Sequence, residues 1–327
     1  MSNILKLSLT KEEIGEVVKE FYKNCEIEYA KQLSRGLMSL TFEIKIKNPS
    51  KIFIIKMSNL KGIFSLAKEV YVIKLLGKHK IPCPNILYFD YSKKRYPFEI
   101  LIIDKFKGKN LNEIWNKIDK KNKLRISFKL GELLALINSI KFKRFALING
   151  YKKFKYYNNI YEDFHSHLTN DYVEYVNEGI IDKRTYERIK KVFLKYKKFL
   201  KSLRHPVLTH NDLWFDHVFV KKVGKYYKIE GIIDFGFAFI FPKEADFVKP
   251  QRWIFDKGED IKASFMAGYQ TIIKLDKNFD TTLSLFRVLY DTVFISRLHR
   301  TKQYELANKY KKVLNGFLAK LEKEKIT

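Results

Sequence analysis

Residues 207–217 read VLTHNDLWFDH and residues 231–236 read GIIDFG. Val207 to Val220 and Tyr226 to Phe235 are short strand-like runs, and each delivers an acid: Asp212 in the first, Asp234 in the second, 22 residues later. Two carboxylates carried to the ends of short strands are what phosphoryl transfer requires, one near the attacking hydroxyl and one on a divalent metal that shields the phosphates. Gly236 predicts a sharp turn of the loop carrying Asp234, through a backbone conformation that larger residues resist.

Upstream, Thr10-Lys11-Glu12-Glu13 has the form of a capping box and predicts a helix to about Asn24. The pattern then alternates: strands are expected near Ile27–Leu33, Leu40–Lys47 and Lys51–Met57, with Asn48-Pro49-Ser50 turning the last pair into a hairpin. A helix from about Ser65 to Lys78 is stopped by Ile81-Pro82-Cys83-Pro84, and strands follow at Ile86–Tyr91 and Phe98–Asp104. Beyond Gly108 the spacing is mostly helical, with a broad apolar face over Leu124–Ile140, aromatic-rich helices over 150–205, and two or three more in the last 65 residues. The expected class is α+β. Its two lobes are a small antiparallel-sheet lobe (1–105) and a larger, mostly helical lobe (106–327) carrying both loops, 207–220 and 232–236.

The chain has 327 residues, 46% hydrophobic and 15% aromatic, enough to bury two cores and to exclude disorder as a description of the whole. Sixty-four basic residues against 36 acidic leave a net charge of +28. That surplus is 53 Lys and 11 Arg, whereas nucleic-acid readout leans on the guanidinium fork. The basic runs Lys117–Lys129 and Lys190–Arg204 read as solvated helix faces, with residues such as Tyr196, Phe199 and Leu203 turned inward. Nucleic acid is therefore not the expected partner. Cys25 and Cys83 make no disulfide framework and no metal spacing. The N-terminal stretch is broken by charge and has no signal-peptide pattern, and nowhere do about 18 apolar residues run together. A cytoplasmic protein without a membrane span is expected.

The pair HNDLWFDH and GIIDFG resembles the catalytic and metal loops of the aminoglycoside phosphotransferase family, and more closely its 2″-phosphotransferase branch. That family has a bilobal protein-kinase-like fold. Its loop places Asn five residues after the catalytic Asp; this chain has His217 there, as the 2″ branch does. The resemblance, over roughly residues 30–250, implies Asp212 as the catalytic residue and His217 with Asp234 as ligands of Mg²⁺. Lys56 resembles the lysine on the α/β-phosphates and Glu69, thirteen residues on, its partner. Ser34 and Gly36 lie where the family folds a loop over the phosphates, and Asp104 and Phe106 where the lobes meet around the nucleobase. Asp246 resembles the acid that supports the catalytic loop, with His210 structural behind it. The donor implied is ATP or GTP.

An imidazole is a less natural Mg²⁺ ligand than an oxygen, so Asp216 stands as an alternative one residue away. If His217 is the ligand, metal affinity falls as the imidazole protonates. The acceptor is left open between an aminoglycoside and another small alcohol of choline, homoserine or sugar type. A cationic acceptor would need carboxylates, for which Glu162, Asp163, Asp171, Glu174, Glu178, Asp256, Glu259 and Asp260 are candidates, or else surface acids that balance lysines. His165, His167 and His299 show no ligand pattern. A non-enzymatic basic protein on a degenerate kinase fold is the other class of reading, opposed by the presence of Lys56, Glu69, Asp212 and Asp234 together. No residue pattern fixes the oligomeric state.

Overall fold

The computed structural model of the chain describes residues 10–35 and 39–325. Thr10 caps the first helix, Lys11–Phe21: its hydroxyl accepts from the Glu13 N–H, and the Glu13 carboxylate accepts from the Thr10 N–H. Strands β1 (Glu26–Arg35), β2 (Leu40–Lys47), β3 (Lys51–Ser58), β4 (Ile86–Asp90) and β5 (Glu99–Asp104) form one antiparallel sheet in the order β1-β2-β3-β5-β4.

Alternation along β3 decides what each face of this sheet does. Phe53, Ile55 and Met57 point into a core shared with Ile14, Val17 and Val18 of the first helix. Ile54 and Lys56 point to the opposite face, over which the helix Leu66–Lys78 lies. That helix buries Leu66, Val70, Ile73 and Leu76 in the second, larger core, which continues through the rest of the chain. It is the element through which the sheet is seated on the helical part.

The later strands are β6 (Lys109–Asn110), β7 (Phe145–Gly150), β8 (Lys153–Tyr157), β9 (Val207–Thr209), β10 (Val218–Val223), β11 (Tyr226–Ile232) and β12 (Phe239–Phe241). They form two small sheets, β11-β10-β6 and β8-β7-β12-β9. The strand-like run 207–220 resolves into β9 and β10 on either side of the loop that carries Asp212, and β11 ends two residues before Asp234. The β7–β8 hairpin falls where the sequence reads as helical. Its apolar run is too short to show a period, and its turn is made by Gly150 and Lys152 at φ +154° and +56°. Within the helical segment Tyr161–Asn177, residues His167–Asp171 widen into a π-helical turn.

The helices Lys120–Asn138 and Glu259–Gln270 cross at two glycines. A Cβ on Gly131 would lie 1.9 Å from the Phe265 carbonyl oxygen, and one on Gly268 would lie 1.9 Å from that of Phe128. Only backbone against backbone fits there. The helices Phe279–Arg300 and Tyr304–Lys323 complete the larger core. On the basic run 190–204, Tyr196 and Leu200 are buried, and Phe199 and Leu203 are half-buried, beneath exposed lysines. No helix of the described residues is long and apolar enough to cross a membrane.

In an exposed helix Gly→Ala stabilises by about 1 kcal/mol. At this crossing the sign reverses: Gly131→Ala is expected to destabilise by about 3 kcal/mol. Urea unfolding of the two proteins measures it, and a more stable variant would contradict the backbone contact.

Candidate active site

The loop that follows β9 is held from below by one carboxylate. Asp246, fully buried, accepts from the N–H of Asn211 on Oδ1 at 2.7 Å and from the N–H of His210 on Oδ2 at 2.9 Å. The Asn138 side-chain amide donates to Oδ2 as well, at 2.8 Å, and also to the Leu208 carbonyl. Asn138 is fixed in turn by the Tyr269 hydroxyl, which donates to its oxygen across the glycine crossing. Burial pushes the Asp246 carboxyl up to about 6, against the pull of these donors. Asn211 adopts φ +57°, a left-handed conformation that Asn tolerates, and its amide donates to Thr209 Oγ1 and the Phe237 carbonyl.

His210 ties this loop to the strand that carries the second acid. Its Nδ1 accepts from the Asp212 N–H and its Nε2 donates to the Ile233 carbonyl, both at 3.2 Å. Burial depresses its imidazole to about 4, so it is neutral near pH 7. A single 3₁₀ turn, Phe215–His217, then carries the chain into β10, with the Phe215 ring on Trp115 and the Asp216 carbonyl accepting from the Asn110 amide at 2.6 Å.

Asp212, His217 and Asp234 converge, each presenting a ligand atom within 4.8 Å of the others. His217 Nδ1 donates to the Asp212 carbonyl at 2.6 Å. The other nitrogen, Nε2, faces Asp234 Oδ2 at 3.5 Å. The three ligand atoms form a donor set that suits a divalent metal, with the second imidazole nitrogen fixed as metal-bound histidines usually have it. Asp216 is not in this cluster. Lys56 Nζ bonds Glu69 Oε2 at 2.5 Å. Burial works against the Lys56 charge, but Glu69 and Asp234 outweigh it and hold the ammonium above its ordinary value. Burial likewise opposes the Asp234 charge, and Lys56 and His217 hold its carboxyl below the usual range.

The sharp turn expected at Gly236 sits elsewhere. Asp234 itself takes the left-handed conformation, at φ +66°, while Gly236 is not among the residues with positive φ. Gly236 serves through its main chain: its N–H meets Asp234 Oδ1 at 3.4 Å and its carbonyl accepts from Lys68 Nζ at 2.7 Å. Lys68 has no exposed surface, lies over the Phe239 ring, and burial pulls its amine well below the ordinary value. Beside Glu69 in sequence, it looks like any solvated helix lysine. Lys249 is the other residue the sequence does not announce. Its ammonium lies against Asp212 Oδ1. The signal for it is spacing, since it follows Asp246 by three residues, one helical turn.

Asp104 and Phe106 lie at the end of β5 and beyond it, outside the convergence. The Asp104 carboxylate is occupied by the N–H and side-chain amide of Asn85, and the Phe106 ring packs on Phe219 and against Gly231. Gly36, and the side chain of Ser34, lie outside the described residues. Of the acids suggested for a cationic acceptor, Glu174 and Glu178 bind Arg300, Asp260 binds Lys120, Asp256 binds Lys257, and Glu259 binds Lys262. Asp171 binds His167, Asp163 is buried against Tyr157, and Glu162 accepts from Asn158.

A five-stranded antiparallel sheet with an inward Lys–Glu pair, set on a helical lobe bearing two convergent acid loops, is the bilobal protein-kinase-like fold. The model described as the phosphotransferase enzyme family matches residues 30–278, and the chain belongs to that family. It is a phosphotransferase with an alcohol group as acceptor. Among solved structures it is similar to aminoglycoside 2″-phosphotransferase IIIa in complex with GDP and kanamycin (18% identity, TM-score 0.66, 95% of this chain and 99% of that one). It is likewise similar to the wild-type enzyme in complex with GDP (17% identity, TM-score 0.65, 95% and 99%). At such identities the likeness is one of fold. No curated protein sequence matches the chain.

The depressed imidazole of His210 has a consequence for stability. The unfolded chain takes up the proton near 6.5 and the folded one only near 4. The stability tied to the neutral, buried ring is thus complete above about pH 6.5 and is lost as pH falls toward 4, by on the order of 3 kcal/mol. His210→Gln removes the group, so the stability difference between wild type and variant should shrink from pH 7 to pH 4.5 in denaturant titrations. A constant difference would contradict a neutral buried ring.

Proposed function

We propose that the chain transfers the γ-phosphoryl group of ATP or GTP to a hydroxyl of a small acceptor, with Asp212 as the base. The observation that carries this reading is the convergence of Asp212, His217 and Asp234 under the Lys56–Glu69 pair. Lys56, held by Glu69, is a fixed cation for the α- and β-phosphates. Asp212 orients the acceptor hydroxyl and takes its proton as the new P–O bond forms and the bond to the nucleoside diphosphate breaks. Asp234 and His217 would hold Mg²⁺, which supplies positive charge to the phosphate oxygens when bound. His217 is favoured over Asp216 because its Nδ1–H is already committed to the Asp212 carbonyl, leaving Nε2 directed at Asp234. Asp246, through the N–H groups of His210 and Asn211, sets the height of the base. Asp104, Phe106 and the segment around Ser34 and Gly36 complete the nucleotide site in this reading, the first two through backbone groups at the junction between lobes 1–105 and 106–327.

Mass-spectrometric phosphotransfer with Mg²⁺ and either ATP or GTP tests it. Asp212→Asn should lower turnover by about 10³-fold with nucleotide affinity unchanged; near-normal turnover would remove Asp212 from its role. His217→Ala should weaken Mg²⁺ dependence by about 10–100-fold, while Asp216→Ala stays close to wild type. The reverse pattern would move the metal ligand to Asp216.

A further inference from the structure

The charge that meets Asp212 bears on the acceptor, in an argument that rests on the reading of Asp212 as base. Lys249 Nζ contacts Asp212 Oδ1, and its side chain is only 22% exposed. One turn further along the same face of the helix Val248–Trp253 stands Trp253, whose indole lies 6.1 Å from that of Trp214 in the catalytic loop. Trp214 in turn meets the His217 ring edge-on at 5.8 Å. An ammonium and two half-buried indoles thus bound this side of the base. Behind them Arg252 and Arg287 share a single buried carboxylate, Asp291.

An acceptor hydroxyl must compete with this ammonium for Asp212. Opening an ion pair in a site that holds little water leaves two charges short of partners. A neutral alcohol restores only one of them. A polycation makes matters worse, bringing ammonium against ammonium, and the acids that would attract it are engaged with Arg300, Lys120 and His167. An alcohol that also carries an anionic group restores both partners at once: its hydroxyl donates to Asp212 while its anion takes Lys249.

We propose that the acceptor is an anionic alcohol whose carboxylate or phosphate lies within about four bonds of the reacting hydroxyl, at hydrogen-bond reach of Lys249. Its body rests on Trp214 and Trp253. The acceptor oxygen gains the phosphoryl group, its proton passes to Asp212, the nucleoside diphosphate leaves, and Lys249 stays protonated throughout.

The test is phosphotransfer and calorimetric binding with three sets of probes in the presence of Mg²⁺ and ATP or GTP. The anionic set is glycerate, gluconate and glycerol 3-phosphate, the neutral set glycerol and glucose, and the cationic probe kanamycin. Turnover or binding is expected in the anionic set, its carboxylates and its phosphate ester separating the two kinds of anion. Lys249→Met should then raise KM for the anionic acceptor by about tenfold or more, with nucleotide affinity unchanged, and Lys249→Arg should recover part of the loss. Silence of the whole anionic set overturns the proposal whatever the other probes do, as does an unchanged KM in Lys249→Met. Kanamycin phosphorylated in an Asp212-dependent manner, with the anionic set silent, sinks the anionic acceptor and leaves Asp212 as base. Activity that survives Asp212→Asn sinks both.

Discussion

A carboxylate with no access to water can remain in a protein interior only if donors surround it, and Asp246 turns that requirement into architecture. Two of its donors are main-chain N–H groups of the loop that presents Asp212, and the third is the Asn138 amide at the end of the Lys120–Asn138 helix. The position of Asp212 therefore depends on how closely that helix approaches, which the Gly131 and Gly268 crossing fixes by bringing backbone onto backbone. Tyr269 ties the partner helix to the same amide. A glycine pair distant from Asp212 in sequence and the tyrosine that follows one of them thus belong to the support of one carboxylate.

The two acid loops are tied to one another as well as to the core. His210 spans from the Asp212 N–H to the Ile233 carbonyl, and His217 from the Asp212 carbonyl to the edge of Asp234. Each imidazole uses both nitrogens, and the direction of each is settled by a main-chain partner. The strand register places Lys56: β3 faces its odd-numbered apolar residues into one core, which turns Lys56 to the opposite face, toward Glu69.

Most of this was legible in the sequence wherever a residue's role follows from local pattern. The capping box at Thr10, the alternation of β3, and the acids at 212 and 234 all lie in short windows whose period or spacing speaks for itself. The parts that were not legible depend on contacts across the chain. The β7–β8 hairpin is stabilised by pairing with β12, nearly a hundred residues away, and its own four apolar residues carry no period. Gly236 drew attention as the residue able to turn, whereas the turn is taken by Asp234, whose strain is sustained by Lys56 and His217 around its carboxylate. Lys68 and Lys249 were invisible for a compositional reason. In a chain with 53 lysines, one that is buried and one that is half-buried look like all the rest.

Lys68 gives the metal loop a bias of its own. Its amine has left water entirely and finds its nearer polar partner in the Gly236 carbonyl at 2.7 Å, with the Ile63 carbonyl at 3.4 Å and the Phe239 ring beneath it. Were the loop to swing outward, that buried amine would keep only its long hydrogen bond to the Ile63 carbonyl, and losing a polar partner in the interior is expensive. The inward position of Asp234 is therefore the resting state of the protein before nucleotide arrives, with the latch supplied by the neighbour of Glu69 on the same helix.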